Sequence, residues 1–193
     1  SGTAASPHVR DLGEAARRAG VDDGTEAGCV FAMLDDLCAR YPDDPGVLVT
    51  PLLNYVALEP GEALFVDAGV VHAYGSGFAL EIMASSDNIL RAGMTGKHKD
   101  VEELLAITDF TPSVPRRELD PPVEEFALVL GRPPFDALPT VGPRVVLVLD
   151  GEVELVAGGD RLTAGRGASV FVPHADGPLE VHGAGRVAVG SVP

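Results

Sequence analysis

Gly61-Glu-Ala-Leu-Phe-Val-Asp-Ala-Gly-Val-Val-His72 decides how this sequence is read. The turn Glu59-Pro-Gly61 leads into the apolar run Ala63 to Val66, and Asp67-Ala-Gly69 leads into Val70 to Tyr74. Short apolar runs between Gly and Pro punctuation are strand signals. The pattern recurs further on. Gly167, five residues, then Pro173-x-Ala175-x-x-Pro178 repeats the spacing of Gly61, five residues, then Asp67-x-Gly69-x-x-His72. Two copies of one pattern imply two β units of similar construction.

Working outward, strand runs are expected at Leu52–Leu58, Ala79–Ala84 and Ile89–Gly93 in the first unit. In the second they are expected at Glu125–Leu130, Arg144–Leu149, Glu152–Ala157, Ser169–Val172 and Arg186–Val189, with Val145–Leu149 and Val153–Val156 forming a hairpin. Many short strands with turn signals in every gap point to a sandwich or barrel of the jelly-roll kind. Upstream, Val9–Ala19 reads as a helix stopped at Gly20, and Thr25–Tyr41 places Val30, Leu34, Leu37 and Tyr41 on one helical stripe ended by Pro42. Tyr41-Pro-Asp-Asp-Pro-Gly46 breaks the pattern and marks a boundary. Asp100-Val-Glu-Glu103 carries N-cap chemistry ahead of Leu104, Leu105 and Ile107, so a short helix is expected there. The expected architecture is mainly β: two jelly-roll β units with an N-terminal helical segment 1–46, part of the first unit plus the short helix after it in 47–110, a linker 111–122 and the second unit in 123–193.

The chain has 193 residues, and 14 Lys plus Arg stand against 29 Asp plus Glu, a formal net charge of −15. A surface that acidic repels phosphate backbones and anionic lipid, which argues against nucleic-acid or membrane partners. No apolar run reaches the ~20 residues that span a bilayer, and Ser1 to Val9 carries no signal-peptide pattern. Cys29 and Cys38 are separated by roughly 13 Å on the expected helix, too far to bridge. Reduced thiols fit a cytoplasmic protein.

The chemistry concentrates in His72, Tyr74, Glu81, Asp87, Arg91 and Lys97. The chain's two lysines, Lys97 and Lys99, both follow Arg91 closely. In so acidic a chain they form an electropositive island, read either as a solvated loop or as an anion site with a planar Arg fork and a Lys point charge. On spacing alone, His72 is equally a metal ligand or a strand-end imidazole bonded to backbone.

The Gly61…His72 pattern resembles the second sequence motif of cupin jelly rolls, whose terminal His binds metal. In the second copy Pro178 stands at that position, and His174 and His182 are displaced from it. A longer set of motifs narrows the resemblance: Leu53-Asn-Tyr-Val, Pro60-Gly-Glu-Ala, Ala68-Gly-x-x-His-Ala-Tyr74, Glu81-Ile-Met-Ala-Ser-Ser-Asp-Asn88, Arg91-Ala-Gly-Met-Thr-Gly-Lys97 and Asp100-Val-x-x-Leu-Leu105. From about Tyr41 to Phe110 the chain closely resembles type I phosphomannose isomerases, and beyond Val123 more loosely.

The resemblance implies interconversion of mannose 6-phosphate and fructose 6-phosphate at one zinc, by enediol proton transfer. It implies His72 as a metal ligand and Tyr74, Glu81 and Lys97 as substrate-binding residues. Asp87, Arg91 and Lys97 fall among the catalytic residues, with Arg91 over the reacting carbons and Asp87 and Glu81 as base candidates. The family's other ligands are a Gln-x-His pair and a further Glu, yet this chain contains no Gln. A further departure is Asp67, where the family usually has Pro. The expectation is therefore the C-terminal half of such an enzyme, with a small phosphorylated sugar as ligand and the N-terminal half as partner supplying the remaining zinc ligands. The alternative is a non-catalytic cupin module that binds sugar phosphate without metal. A cupin oxygenase is disfavoured because its His-x-His pair is absent.

Overall fold

Pro7 opens helix α1 (Pro7–Ala19), where its missing N–H costs nothing. Thr25 caps α2 (Glu26–Arg40), its Oγ1 accepting from the Gly28 N–H at 3.1 Å. The helices close in at Gly13, where a β-carbon would stand 3.0 Å from Cys38 Cβ. Val9, Leu37, Cys38 and Val47 form the core beneath them, with Leu12, Met33, Tyr41, Leu48 and Met94 packed against it. Of the expected stripe, Leu34 and Leu37 are buried, and Val30 and Tyr41 half-buried. Both cysteines are free thiols. Burial, reinforced by the charge of Asp35, pushes the Cys38 thiol up.

These helices belong to the first of two units in the computed structural model, which describes residues 6–20, 24–86, 89–117, 123–140 and 142–192. That unit comprises Ser1–Phe78 and Asp87–Leu119; the second comprises Ala79–Ser86 and Asp120–Pro193.

After α2 the first unit continues as a 3₁₀ helix, Pro45–Leu52, and then as extended chain. Here the structure departs from expectation. The runs at 52–58, 63–66, 70–74, 79–84 and 89–93 form no strands among the described residues, and the region's one β contact is the bridge Phe65–Arg116. Alternation marks a face to be buried, but a strand exists only where a neighbour accepts its N–H and C=O groups. Within this chain the neighbour is a single irregular segment. The Phe65 N–H donates to the Arg116 carbonyl at 2.9 Å, Asn54 Nδ2 to the Ser113 carbonyl at 3.1 Å, and Arg117 to Glu62 at 2.7 Å. Helix α3 (Val101–Ile107) begins as expected, with Asp100 Oδ1 accepting from the Glu103 N–H.

The second unit is built from β1 (Ala127–Gly131), β2 (Arg144–Asp150), β3 (Glu152–Ala157), β4 (Asp160–Gly165), β5 (Ser169–Val172), β6 (Glu180–Gly183) and β7 (Arg186–Ser191). They form two antiparallel sheets, ordered β1-β7-β2-β5 and β4-β3-β6. Val146, Val148, Val172, Val187 and Val189 from one sheet share a core with Val153, Leu155, Ala164 and Val181 from the other. The chain is thus mainly β in its ordered sheets, with few helices. The expected hairpin is corrected: β2 and β3 lie in different sheets. Both edges of β2 are taken by β5 and β7, so the chain turns at Gly151, with φ 69°, and crosses over. The hairpin instead joins β3 to β4, through Gly158-Gly159 with φ of 59° and 87°, the geometry that favours glycine in two-residue turns. The strands β4 and β6 escaped sequence reading because most of their residues are exposed and each carries few large apolar side chains.

Candidate functional site

The His72 loop is shaped by Gly69. With φ 80°, and with space for a β-carbon blocked by the Ile107 carbonyl at 2.8 Å, only glycine fits there. The Gly69 carbonyl accepts from the Asp109 N–H at 3.0 Å, and the Asp67 carbonyl accepts from the Val70 N–H at 3.3 Å. The Asp67 carboxylate lies 3.3 Å from the Arg116 guanidinium, which covers the Phe65 ring at 4.9 Å. Asp67 thereby ties the turn to the returning chain.

His72 is exposed, with Nδ1 3.0 Å from the Val70 carbonyl oxygen. A carbonyl can only accept, so Nδ1 carries the proton, and the lone pair of the neutral ring lies on Nε2. Backbone bonding and ligand capacity, the two sequence readings, are therefore compatible. Tyr74, 68% exposed, meets His72 edge to face with ring centroids 6.1 Å apart.

Arg91 is half-buried and Lys97 exposed, on a loop held at its middle. Met94 adopts a left-handed φ of 54°, packs its side chain against the helical core, and donates its N–H to Asp44 Oδ2 at 2.8 Å. Asp44 also accepts from the Gly46 N–H at 2.8 Å and from Lys99 Nζ at 2.9 Å. Burial alone would raise this carboxyl. The Lys99 hydrogen bond and charge, with the Gly46 and Met94 N–H groups, outweigh it and hold Asp44 below the usual carboxylate value. Lys99 is thus committed to Asp44, which narrows the expected electropositive island to Arg91 and Lys97. Asp44 went unrecognised in sequence. Its signal was Asp-Pro-Gly at the start of a helix, a capping pattern.

Glu81 is exposed and lies in the Ala79–Ser86 segment of the second unit; Asp87 lies outside the described residues. Among the described residues no group of three or more His, Cys, Asp or Glu side chains can hold a metal ion. A zinc site needs about three protein ligands, so the described residues of this chain do not make one by themselves. In the second unit, His174 Nδ1 accepts from the Gly142 N–H at 2.9 Å and His182 pairs with Glu180 at 3.0 Å. Both histidines have structural partners. No helix among the described residues is long and apolar enough to cross a membrane.

Two packed antiparallel sheets, ordered β1-β7-β2-β5 and β4-β3-β6, are the architecture of a cupin-type β domain. Residues 144–192 match the family model "Mannose-6-phosphate isomerase, cupin domain". The chain is 40% identical over 164 residues to mannose-6-phosphate isomerase 2 of Arabidopsis thaliana, covering 76% of this chain and 36% of that protein. It is 39% identical over 163 residues to mannose-6-phosphate isomerase of Escherichia coli, covering 77% and 41%. Among solved structures, a lysine-to-alanine mutant of phosphomannose isomerase from Salmonella typhimurium superposes with TM-score 0.73 at 30% identity, over 100% of this chain and 51% of that one. The structure of the Salmonella typhimurium enzyme bound to fructose 6-phosphate and zinc gives TM-score 0.66 at 26% identity, with the same coverage. The chain is homologous to the C-terminal part of the mannose-6-phosphate isomerases. It spans about two fifths of the length of these curated relatives.

Proposed function

We propose that this chain is the C-terminal portion of a zinc-dependent mannose-6-phosphate isomerase, interconverting mannose 6-phosphate and fructose 6-phosphate by proton transfer through an enediol. The observation that carries the reading is the placement of His72: an exposed imidazole whose Nδ1 lies 3.0 Å from the Val70 carbonyl oxygen, a contact that leaves Nε2 to donate its lone pair. Metal-binding histidines are commonly oriented by such a bond through their other nitrogen. Identity of 39–40% to enzymes named for this reaction supports it.

In this reading His72 offers one donor to a zinc ion whose other ligands come from the N-terminal half of the enzyme. Arg91 lies over the reacting carbons, where its guanidinium stabilises developing enediolate charge. Lys97 binds the anionic substrate or assists Arg91, and Tyr74 lines the sugar. Asp87 and Glu81 are the carboxylates available to move the proton or to orient the groups that do. The cations fix the phosphorylated sugar so that its first two carbons are presented to the base.

The absence of a complete ligand cluster among the described residues favours one second reading, a metal-free module that only binds sugar phosphate. One experiment separates them. Metal content and isomerase activity are measured on this chain alone and on the chain supplied with its upstream half. Zinc and activity that arise only in the combined sample support the isomerase. Tight binding of mannose 6-phosphate by the chain alone, with no activity in either sample, supports the module.

A further inference from the structure

We infer that Asp44 is a positioning residue for the Arg91–Lys97 loop, fixing from the helical side the cations that the proposed isomerase presents to its substrate. The inference rests on that functional reading and deepens it.

Asp44 sits where the chain leaves α2, far in sequence from the loop, yet its carboxylate gathers both ends of the loop's second half. Oδ2 accepts from the Met94 N–H at 2.8 Å and from Lys99 Nζ at 2.9 Å, while Oδ1 accepts from Gly46 N–H at 2.8 Å. The side chain is 12% exposed and that of Lys99 32%, so these bonds are partly shielded from competing water. Three further features act at the same place. Gly93 meets Gly46 backbone to backbone. Met94 holds a left-handed backbone that a side chain rarely adopts, and its side chain packs against the core formed by Val9, Leu37, Cys38 and Val47. Such a conformation persists only where its surroundings over-determine it. Arg91 lies just before this anchor and Lys97 between its two ends. Releasing Asp44 therefore frees the backbone that aims both cations.

Asp44→Asn is the selective variant. Its single carbonyl oxygen can keep the Gly46 cap, but its NH₂ then faces the donors on Met94 and Lys99. The test uses the chain joined to its upstream half. It follows kcat and KM for mannose 6-phosphate together with amide hydrogen exchange across residues 93–99. The expected result is faster exchange in that segment and a kcat lowered about tenfold or more, with KM changed much less, since small misplacements of reacting groups weigh heavily on rate. Lys99→Met, which leaves the cap untouched, shifts both readouts the same way by less. It decides the matter alone if Asp44→Asn does not fold. Faster exchange with unchanged kcat overturns the positioning role. Arg91→Lys is measured alongside. If it loses activity while the Asp44 and Lys99 variants do not, the positioning inference fails and the functional reading stands. If none of the three loses activity, the reading of Arg91 fails and the inference with it.

Discussion

Gly46 and Gly93 meet with no side chain between them: a β-carbon on either residue would stand 2.7 Å from the Cα of the other. Neither glycine needs a left-handed backbone. What they need is space, because the start of the 3₁₀ helix and the loop carrying Arg91 and Lys97 touch there through main-chain atoms. Gly93→Ala should therefore cost about 1–3 kcal/mol, the usual penalty of overpacking. Urea denaturation of the chain measures it, and a stability equal to wild type would show that the loop is free to move away.

The same junction predicts an acid-sensitive contribution to stability. The Asp44 carboxyl is held below its ordinary value of about 3.9 by Lys99 and two backbone N–H groups, against the cost of burial. A carboxyl with a depressed folded-state pKa stabilises the fold above its unfolded value, and that contribution is lost as pH falls through the folded value. Asp44→Asn should be less stable than wild type at neutral pH, with the gap closing as pH drops below about 4. Parallel denaturation curves across pH 2–7 test this; a gap independent of pH assigns the effect to shape alone.

His72→Ala should leave the fold intact, because the side chain is exposed and its bond to Val70 is worth under about 1 kcal/mol. In the complete enzyme it should lower zinc content and abolish isomerisation. Replacing His174 and His182 together with Ala should leave both nearly unchanged, since these rings are engaged by Gly142 and Glu180. Metal analysis of the two variants decides which unit holds the ion.

For Arg91→Lys the charge is kept and the planar fork is lost. A fall in kcat of more than tenfold, or ~1.4 kcal/mol, is expected from steady-state kinetics of the complete enzyme. A change confined to KM would make Arg91 a ground-state anchor for phosphate.

On β2 two adjacent valines face opposite ways. Val146 is fully buried and Val145 is 49% exposed. Val146→Asp places an unpaired charge in the shared core and should cost on the order of 4 kcal/mol, enough to unfold the unit. Val145→Asp should cost about 1 kcal/mol, mostly lost strand preference. Circular dichroism melts of the pair test the assignment of faces.

Much of the second unit was legible because its strands find their ladder partners within this chain. Val153 and Leu155, or Val146 and Val148, alternate with outward residues and find ladder partners within the chain. The runs around Tyr55, Phe65 and Ile82 carry equally apolar patterns but no complete ladder, and a pattern read along one strand says nothing about its neighbour. At the candidate site, motif spacing singled out His72 and the resemblance singled out Tyr74, and the two rings meet edge to face in the structure. Asp44 was not, because its role depends on Met94 and Lys99, which only folding brings to it. Lys99 stayed open between solvated loop and anion site for the same reason: charge composition counts a cation without showing which carboxylate has already taken it.

The central place of β7 sets an order of events for folding. The β3–β4 hairpin closes through Gly158-Gly159 and needs only adjacent residues, so it can form within about 1–10 μs. The four-stranded sheet cannot follow at that pace. Its register pairs Ala127 with Ser191 and Arg144 with that same Ser191, so both ladders wait until the segment 186–191 threads between strands far upstream. Closing such long loops is the slow, entropically costly part of β-sheet assembly. Until then β1 and β2 offer open edges to any other chain in the same state, and a nascent polypeptide stalled short of residue 186 would be a seed for aggregation.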